Sequence, residues 1–186
     1  FFLAALRKPE EDREADTDLF SPKKKKSKGD TAASPVSKEN LAIAKSWLAS
    51  SDEYNLLVNG TAITAFPVYY QNDLALLRQS LRIVQVGTEV AEVKGKDLIP
   101  AHGLAMSRLL KTSVFPTEAL TYEQAIAYLR KEAIVLPPSV PKGYVLVTYK
   151  EIPLGFVKNI GNRANNLYPQ EWRIRSGYLP DDIRTL

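Results

Sequence analysis

Hydrophobic and polar positions along this chain follow two periods, and the period kept by each stretch predicts its local structure. Beyond Lys38, the apolar residues Leu41, Ala44, Trp47 and Leu48 recur at helical spacing, predicting a helix over roughly 38–49. Ser37 stands at its N-cap, and Val36 with Leu41 occupies the two positions of a hydrophobic staple. Next comes "YNLLVNGTAITAFPVYY", two apolar runs divided by Asn59-Gly60, the pair expected of a two-residue hairpin turn. Leu74, Leu77 and Leu81 predict a short helix near 73–80. "LRIVQVGTEVAEVKGKDLIP" alternates as strand on both sides of Gly87, with a turn at Gly95. Pro100 suits the first turn of a helix running to about Lys111. Thr121 and Gln124 form a capping box ahead of an inward face of Tyr122, Ile126, Leu129 and Ala133. "LPPSVPKG" reads as a rigid connector, and "YVLVTYKEIPLGFVKN" as two strands around a Lys150-Glu151 turn. In the first of these, Val145, Val147 and Tyr149 take one face and Leu146 and Thr148 the other.

Residues 9–36 keep neither period. An acidic block precedes the basic run Lys23–Lys26, with prolines and small residues between, which reads as a flexible charged linker. The fold class is therefore α+β, with several short strands, a few helices and no helix–strand alternation of the nucleotide-binding kind. The expected divisions are 1–8, a strand from a preceding domain; 9–36, the linker; 37–80, a small α/β module; 81–178, a second domain; and 179–186, a tail.

Composition removes most chemistry. The 186 residues contain no cysteine and one histidine, His102, so disulfides and thiolate nucleophiles are excluded and a metal site would rest on carboxylates. No glycine-rich phosphate loop or G-x-S-x-G elbow is present. No apolar run has the length of a membrane span. The expectations are a non-catalytic cytoplasmic chain without membrane or metal partners, in which His102 packs locally.

Charge supplies a positive indication. Residues 140–178 carry Lys142, Lys150, Lys158, Arg163, Arg173 and Arg175 against Glu151 and Glu171, a balance of +4 that equals the net charge of the whole chain. Within them, "PLGFVKNIGNRANNLYP" groups Lys158 and Arg163 with Asn162, Asn165 and Asn166 around Gly161. Cations that neutralise phosphates beside amides that donate to phosphate or ribose form the pattern of a polyanion contact. Lys142, Lys94 and Lys96 extend the track. Tyr168 and Trp172 are open to two roles, stacking on a base or covering the core.

The segment "KGYVLVTYKEIPLGFVKNIGNRANNLYPQEWRIR" resembles the PUA-like RNA-binding domain that ends the RsmF-like branch of RNA cytosine-5 methyltransferases, the Nol1/Nop2/Sun family. Pro153, Leu154, Gly155, Lys158, Gly161, Arg163, Asn166, Tyr168 and Pro169 carry the likeness. The stretch from Leu81 to Ser107, with Lys94-Gly95 and Pro100-Ala101-His102, is similar to the region just upstream in that branch, and "FFLAALRK" to the last strand of its catalytic domain. The resemblance implies a PUA-like mixed β-barrel or sheet with flanking helices over 81–178. It also implies a parent rRNA methyltransferase that uses S-adenosylmethionine, with rRNA and the parent's own methyltransferase domain as partners. The family's two catalytic cysteines have no counterpart here, so neither catalysis nor the cofactor is assigned to this chain. Protein docking is the competing reading.

Overall fold

The structure, a computed structural model, describes residues 36–176. The expectations for residues 1–8, for the linker up to residue 35 and for the tail beyond 178 lie outside the described residues.

Helix α1, Lys38–Ser46, begins where Ser37 accepts from the Asn40 amide at 3.1 Å. Val36 and Leu41 both join the core beneath it, as the staple requires. The hairpin β1, Tyr54–Asn59, and β2, Ala62–Pro67, turns one position later than expected, on Gly60-Thr61, with Asn59 paired to Ala62. Helix α2, Gln71–Ser80, leads to strands β3, Thr88–Lys94, and β4, Asp97–Pro100. These four strands make one antiparallel sheet in the order β1-β2-β3-β4. The expected boundary at residue 80 therefore falls inside a single sheet, because β2 pairs with β3 across it.

Two further expectations in this half are corrected. Residues 81–87 alternate but lie outside the strands, and β3 starts only after Gly87. Pro100 belongs to β4, opposite Ala91, and the helix after it is only α3, His102–Ala105.

The second sheet contains β5, Thr117–Ala119; β6, Gly143–Tyr149; β7, Ile152–Asn159; and β8, Ala164–Asn166, in that order. Strand β5 lies parallel to β6 and the other pairs are antiparallel. Between β5 and β6 runs helix α4, Tyr122–Leu129, held by the Thr121–Gln124 capping box. One β–α–β crossover is thus present where none was expected. Its first strand is three residues of Thr-Glu-Ala, too short and polar to show a period. The buried positions of α4 are Ala125 and Tyr128, and Ala133 is exposed. The helix ends at Leu129, and Lys131 follows with a φ of 66°, so the helical spacing no longer places residue 133.

Strand β6 is buried on both faces. Leu146 joins Phe156 in a core shared with α1, β2, β3 and α3, whereas Val145, Val147 and Val157 enter a second core under α4. Rings bridge the first core: Trp47 meets Phe115 at 5.1 Å and Phe115 meets Phe156 at 4.8 Å between centroids. Phe156 and Lys158 share a face of β7, so this packing fixes where Lys158 emerges.

Candidate nucleic-acid interface

The β6–β7 hairpin turns on Lys150 and Glu151, at φ of 48° and 66°, and its register sets Tyr144 opposite Lys158. Lys158 in turn pairs with Asn165 on β8. Side chains of Tyr144, Lys158 and Asn165 thereby form a row across the sheet. Lys158, in the middle of that row, forms an ion pair, its Nζ 2.6 Å from Asp97 Oδ2 and 5.5 Å from the Tyr144 ring centroid. The hydrogen bond to Asp97 raises the Lys158 pKa. Its charge is compensated within the chain, which revises the expectation of a free phosphate contact.

Asp97 faces Lys94 across the Gly95-Lys96 turn, so both of these exposed lysines flank the row. At its other side, the β7–β8 loop closes through the Ile160 amide donating to the Arg163 carbonyl at 3.0 Å. Gly161 has a φ of +105°, and a Cβ there would come within 3.0 Å of Lys142 Cε, so the lysine lies along the loop. Asn162, Arg163 and Asn165 are exposed. Lys142, Lys158, Asn162, Arg163, Asn165, Lys94 and Lys96 are thus brought to one end of the molecule.

Arg173 and Arg175 sit elsewhere, beside the C-terminal end of α4. The Ile174 amide donates to the Leu129 carbonyl at 2.9 Å, and Arg130 donates to the Ser176 carbonyl at 2.9 Å. The two exposed arginines line a shallow cleft with Arg130 and Glu132.

Two expected contacts turn inward. Asn166 donates to the carbonyls of Tyr128 at 2.8 Å and Glu132 at 3.0 Å and accepts from the Tyr168 amide at 2.9 Å. Its amide is spent closing the end of α4 rather than displayed to a ligand. Asn166→Ala is expected to destabilise the fold by about 2–3 kcal/mol, through two carbonyls left unpaired, as read by chemical denaturation. Tyr168 packs edge-on against His102 at 5.1 Å and Tyr128 at 5.5 Å and belongs to the second core. Of its two open roles, covering the core is the one it fills.

Sequence reasoning missed Asn159, which is buried. It donates to the carbonyls of Val140 at 3.0 Å and Pro141 at 3.1 Å and accepts from the Gly161 amide at 3.0 Å. This amide shapes the loop that presents Asn162 and Arg163. No spacing signal distinguishes it from its exposed neighbours.

His102 packs locally, between Tyr168 and Trp172. Burial, with the nearby Lys131 charge, lowers its pKa from the ordinary 6.5. The folded state then binds fewer protons than the unfolded chain, so its contribution to stability falls as pH drops through about 6.5. Thermal unfolding between pH 7.5 and 5.5 should show a loss that is absent from His102→Gln.

Among the described residues, no helix is long and apolar enough to cross a membrane, and no three His, Asp or Glu side chains form a metal-holding group.

Residues 115–174 match the family described as the methyltransferase RsmF PUA domain. That span contains the whole second sheet and the β7–β8 loop. Over 138 residues the chain is 29% identical to a ribosomal RNA small subunit methyltransferase F from an Enterobacter species, covering 74% of this chain and 27% of that protein. It is 26% identical over 186 residues to the Shigella boydii protein of the same name, covering 96% of this chain and 36% of that one. The corresponding Klebsiella pneumoniae protein is 28% identical over 99 residues, 53% of this chain and 20% of that protein. The chain therefore spans between a fifth and just over a third of the length of these curated relatives.

Proposed function

We propose, from the premise that this chain carries an RsmF-like PUA region, that it binds ribosomal RNA and docks a methyltransferase onto it. The observation that carries this reading is the exposed group Lys94, Lys96, Lys142, Asn162 and Arg163, gathered at one end by the β3–β4 turn and the β7–β8 loop. Cations and amides without a periodic base-reading element suit contact with phosphate and sugar, which positions a nucleic acid rather than reading its sequence. Arg173 and Arg175 provide a second phosphate contact at the end of α4. The reaction belongs to the parent enzyme, a cytoplasmic rRNA cytosine-5 methyltransferase using S-adenosylmethionine. The described residues do not fit that cofactor. Their one crossover, β5–α4–β6, opens with Leu120-Thr121 in place of a glycine-rich turn. No step of the reaction is assigned to them.

The test is fluorescence anisotropy of labelled small-subunit rRNA fragments with the full chain over a range of salt. Binding should weaken linearly in log–log form as counterions are released. Anisotropy that stays flat at every salt concentration refutes the RNA reading.

A second reading has one observation in its favour. Tyr70, Leu77 and Leu81 are exposed large apolar side chains, and they line a groove together with Phe66, Leu74 and Ile83. An apolar patch of this kind marks a protein contact. It lies on the first sheet and α2, outside the matched PUA span, and suits the parent's methyltransferase domain as occupant. The two readings then describe different faces of one docking arm.

A further inference from the structure

A cleft of about 590 Å³ opens between β3, β4 and α3 on one side and residues 167–172 on the other. Trp172, His102, Glu89, Glu92, Lys94 and Lys131 are among its lining residues. Three features distinguish it from an ordinary surface groove.

The Trp172 indole is 60% exposed, yet it is held edge-on to His102 at 5.3 Å between ring centroids. A ring held at its edge with much of its face in water offers a surface on which a flat ligand can stack. His102 lines the cleft as well, and its buried Nδ1 has no hydrogen-bond partner among the described residues. The Glu89 carboxylate makes no hydrogen bond or ion pair among the described residues, although Glu92 accepts from Thr61 at 3.4 Å. Glu89 stands on the cleft wall with its side chain open to solvent, and desolvation there, with the neighbouring Glu92, raises its pKa.

An ionised carboxylate only accepts hydrogen bonds, so a ligand that lies against this wall must present a donor. Phosphate oxygens are repelled from Glu89, Glu92 and Glu171, and the cations able to receive them stand at Lys94 and the adjacent Lys96. The Lys131 ammonium is occupied, donating to the Tyr168 carbonyl. What satisfies a free aromatic surface, an acceptor wall and a cationic rim together is a nucleotide with its base inside and its phosphate outside. Cytosine, adenine and guanine present exocyclic amino donors that uracil lacks.

We propose that this cleft holds one unpaired nucleotide of the bound RNA, its base stacked on Trp172 and its exocyclic amino group donating to Glu89. The proposal rests on the RNA-binding reading and assigns it a base preference that the phosphate contacts do not supply. Such a pocket admits only a base splayed out of its stack, so binding is directed to loops, bulges or ends.

Intrinsic fluorescence isolates the event. The chain has two tryptophans, and Trp47 is 6% exposed in the core, so quenching by a stacked base reports on Trp172. The full chain is titrated with oligocytidine and oligouridine of equal length, and binding is followed in parallel by anisotropy. Oligocytidine should quench and bind at least about 5-fold more tightly than oligouridine. Trp172→Ala should weaken oligocytidine binding about 5- to 100-fold, the range for loss of one stacked base. Glu89→Gln should remove the preference for cytidine while leaving oligouridine binding nearly unchanged. If the Trp172 variant fails to fold, Glu89→Gln decides alone. Anisotropy that shows binding with equal affinity for both oligomers and no quenching overturns the nucleotide pocket and leaves RNA binding standing. No binding to any RNA overturns both.

Discussion

Gly155→Ala is expected to lower the stability of the domain by about 2–6 kcal/mol, the largest single-site loss outside the aliphatic cores. Gly155 is buried in β7 at a φ of +143°, where side chains are strained whatever the space. The space is also missing. A Cβ would lie 2.2 Å from Tyr128 Oη and 2.9 Å from His102 Nδ1. Tyr128 has little freedom to retreat, since it is fully buried and its hydroxyl donates to the Phe156 carbonyl at 3.2 Å. Burial pushes that hydroxyl beyond the ordinary tyrosine range, so it stays a donor at any usable pH. Chemical denaturation measures the loss, and a thermal midpoint lowered by at least about 5 °C accompanies it. Tyr128→Phe removes the atom in the way at a cost of about 1 kcal/mol for its own hydrogen bond. The loss in Gly155→Ala/Tyr128→Phe should therefore be smaller than the sum of the two single losses, leaving the backbone strain and the close contact with His102. Additive losses would place the clash elsewhere, and a midpoint shift under about 1 °C would refute the close approach.

The same glycine shows what a sequence can disclose. Gly155 stands out as part of a family-like string, but its reason is a tyrosine on a helix 27 positions earlier and a histidine from another sheet's flank. Signals contained within a few residues were readable: Ser37 and the Thr121–Gln124 box cap their helices as expected. The buried β6–β7 hairpin was readable too, because two alternating faces meet two cores. Contacts made across the chain were not. Lys158 reads as a free cation until Asp97, 61 residues away, is seen to hold it. Asn165 and Asn166 are equivalent in composition, and only the strand register leaves one exposed and turns the other onto the end of α4. Residues 81–86 keep a strand period without entering the sheet, so alternation alone did not make a strand there.

That pairing of Lys158 determines how the RNA interface responds to mutation. Lys142→Ala/Arg163→Ala removes two exposed cations at the β7–β8 loop, one beside it and one in it, and no ion pair among the described residues. Binding to an rRNA fragment should weaken about 30-fold at moderate salt, from on the order of 1 kcal/mol per contact. The slope of log affinity against log salt should become shallower by about 1.4–1.8, since each phosphate neutralised contributes about 0.7–0.9. Asp97→Ala/Lys158→Ala removes one charge of each sign and leaves the local balance unchanged. It should alter the slope by less than about 0.3 and leave the thermal midpoint nearly unchanged, because the pair lies at the surface. The contrast separates charge that is displayed from charge that is spent, which a single lysine substitution cannot do. An unchanged slope in the loop variant removes the β7–β8 loop from the interface. A comparable fall in the ion-pair variant would mean that RNA takes Lys158 away from Asp97, and the row across β6, β7 and β8 would then join the contact surface.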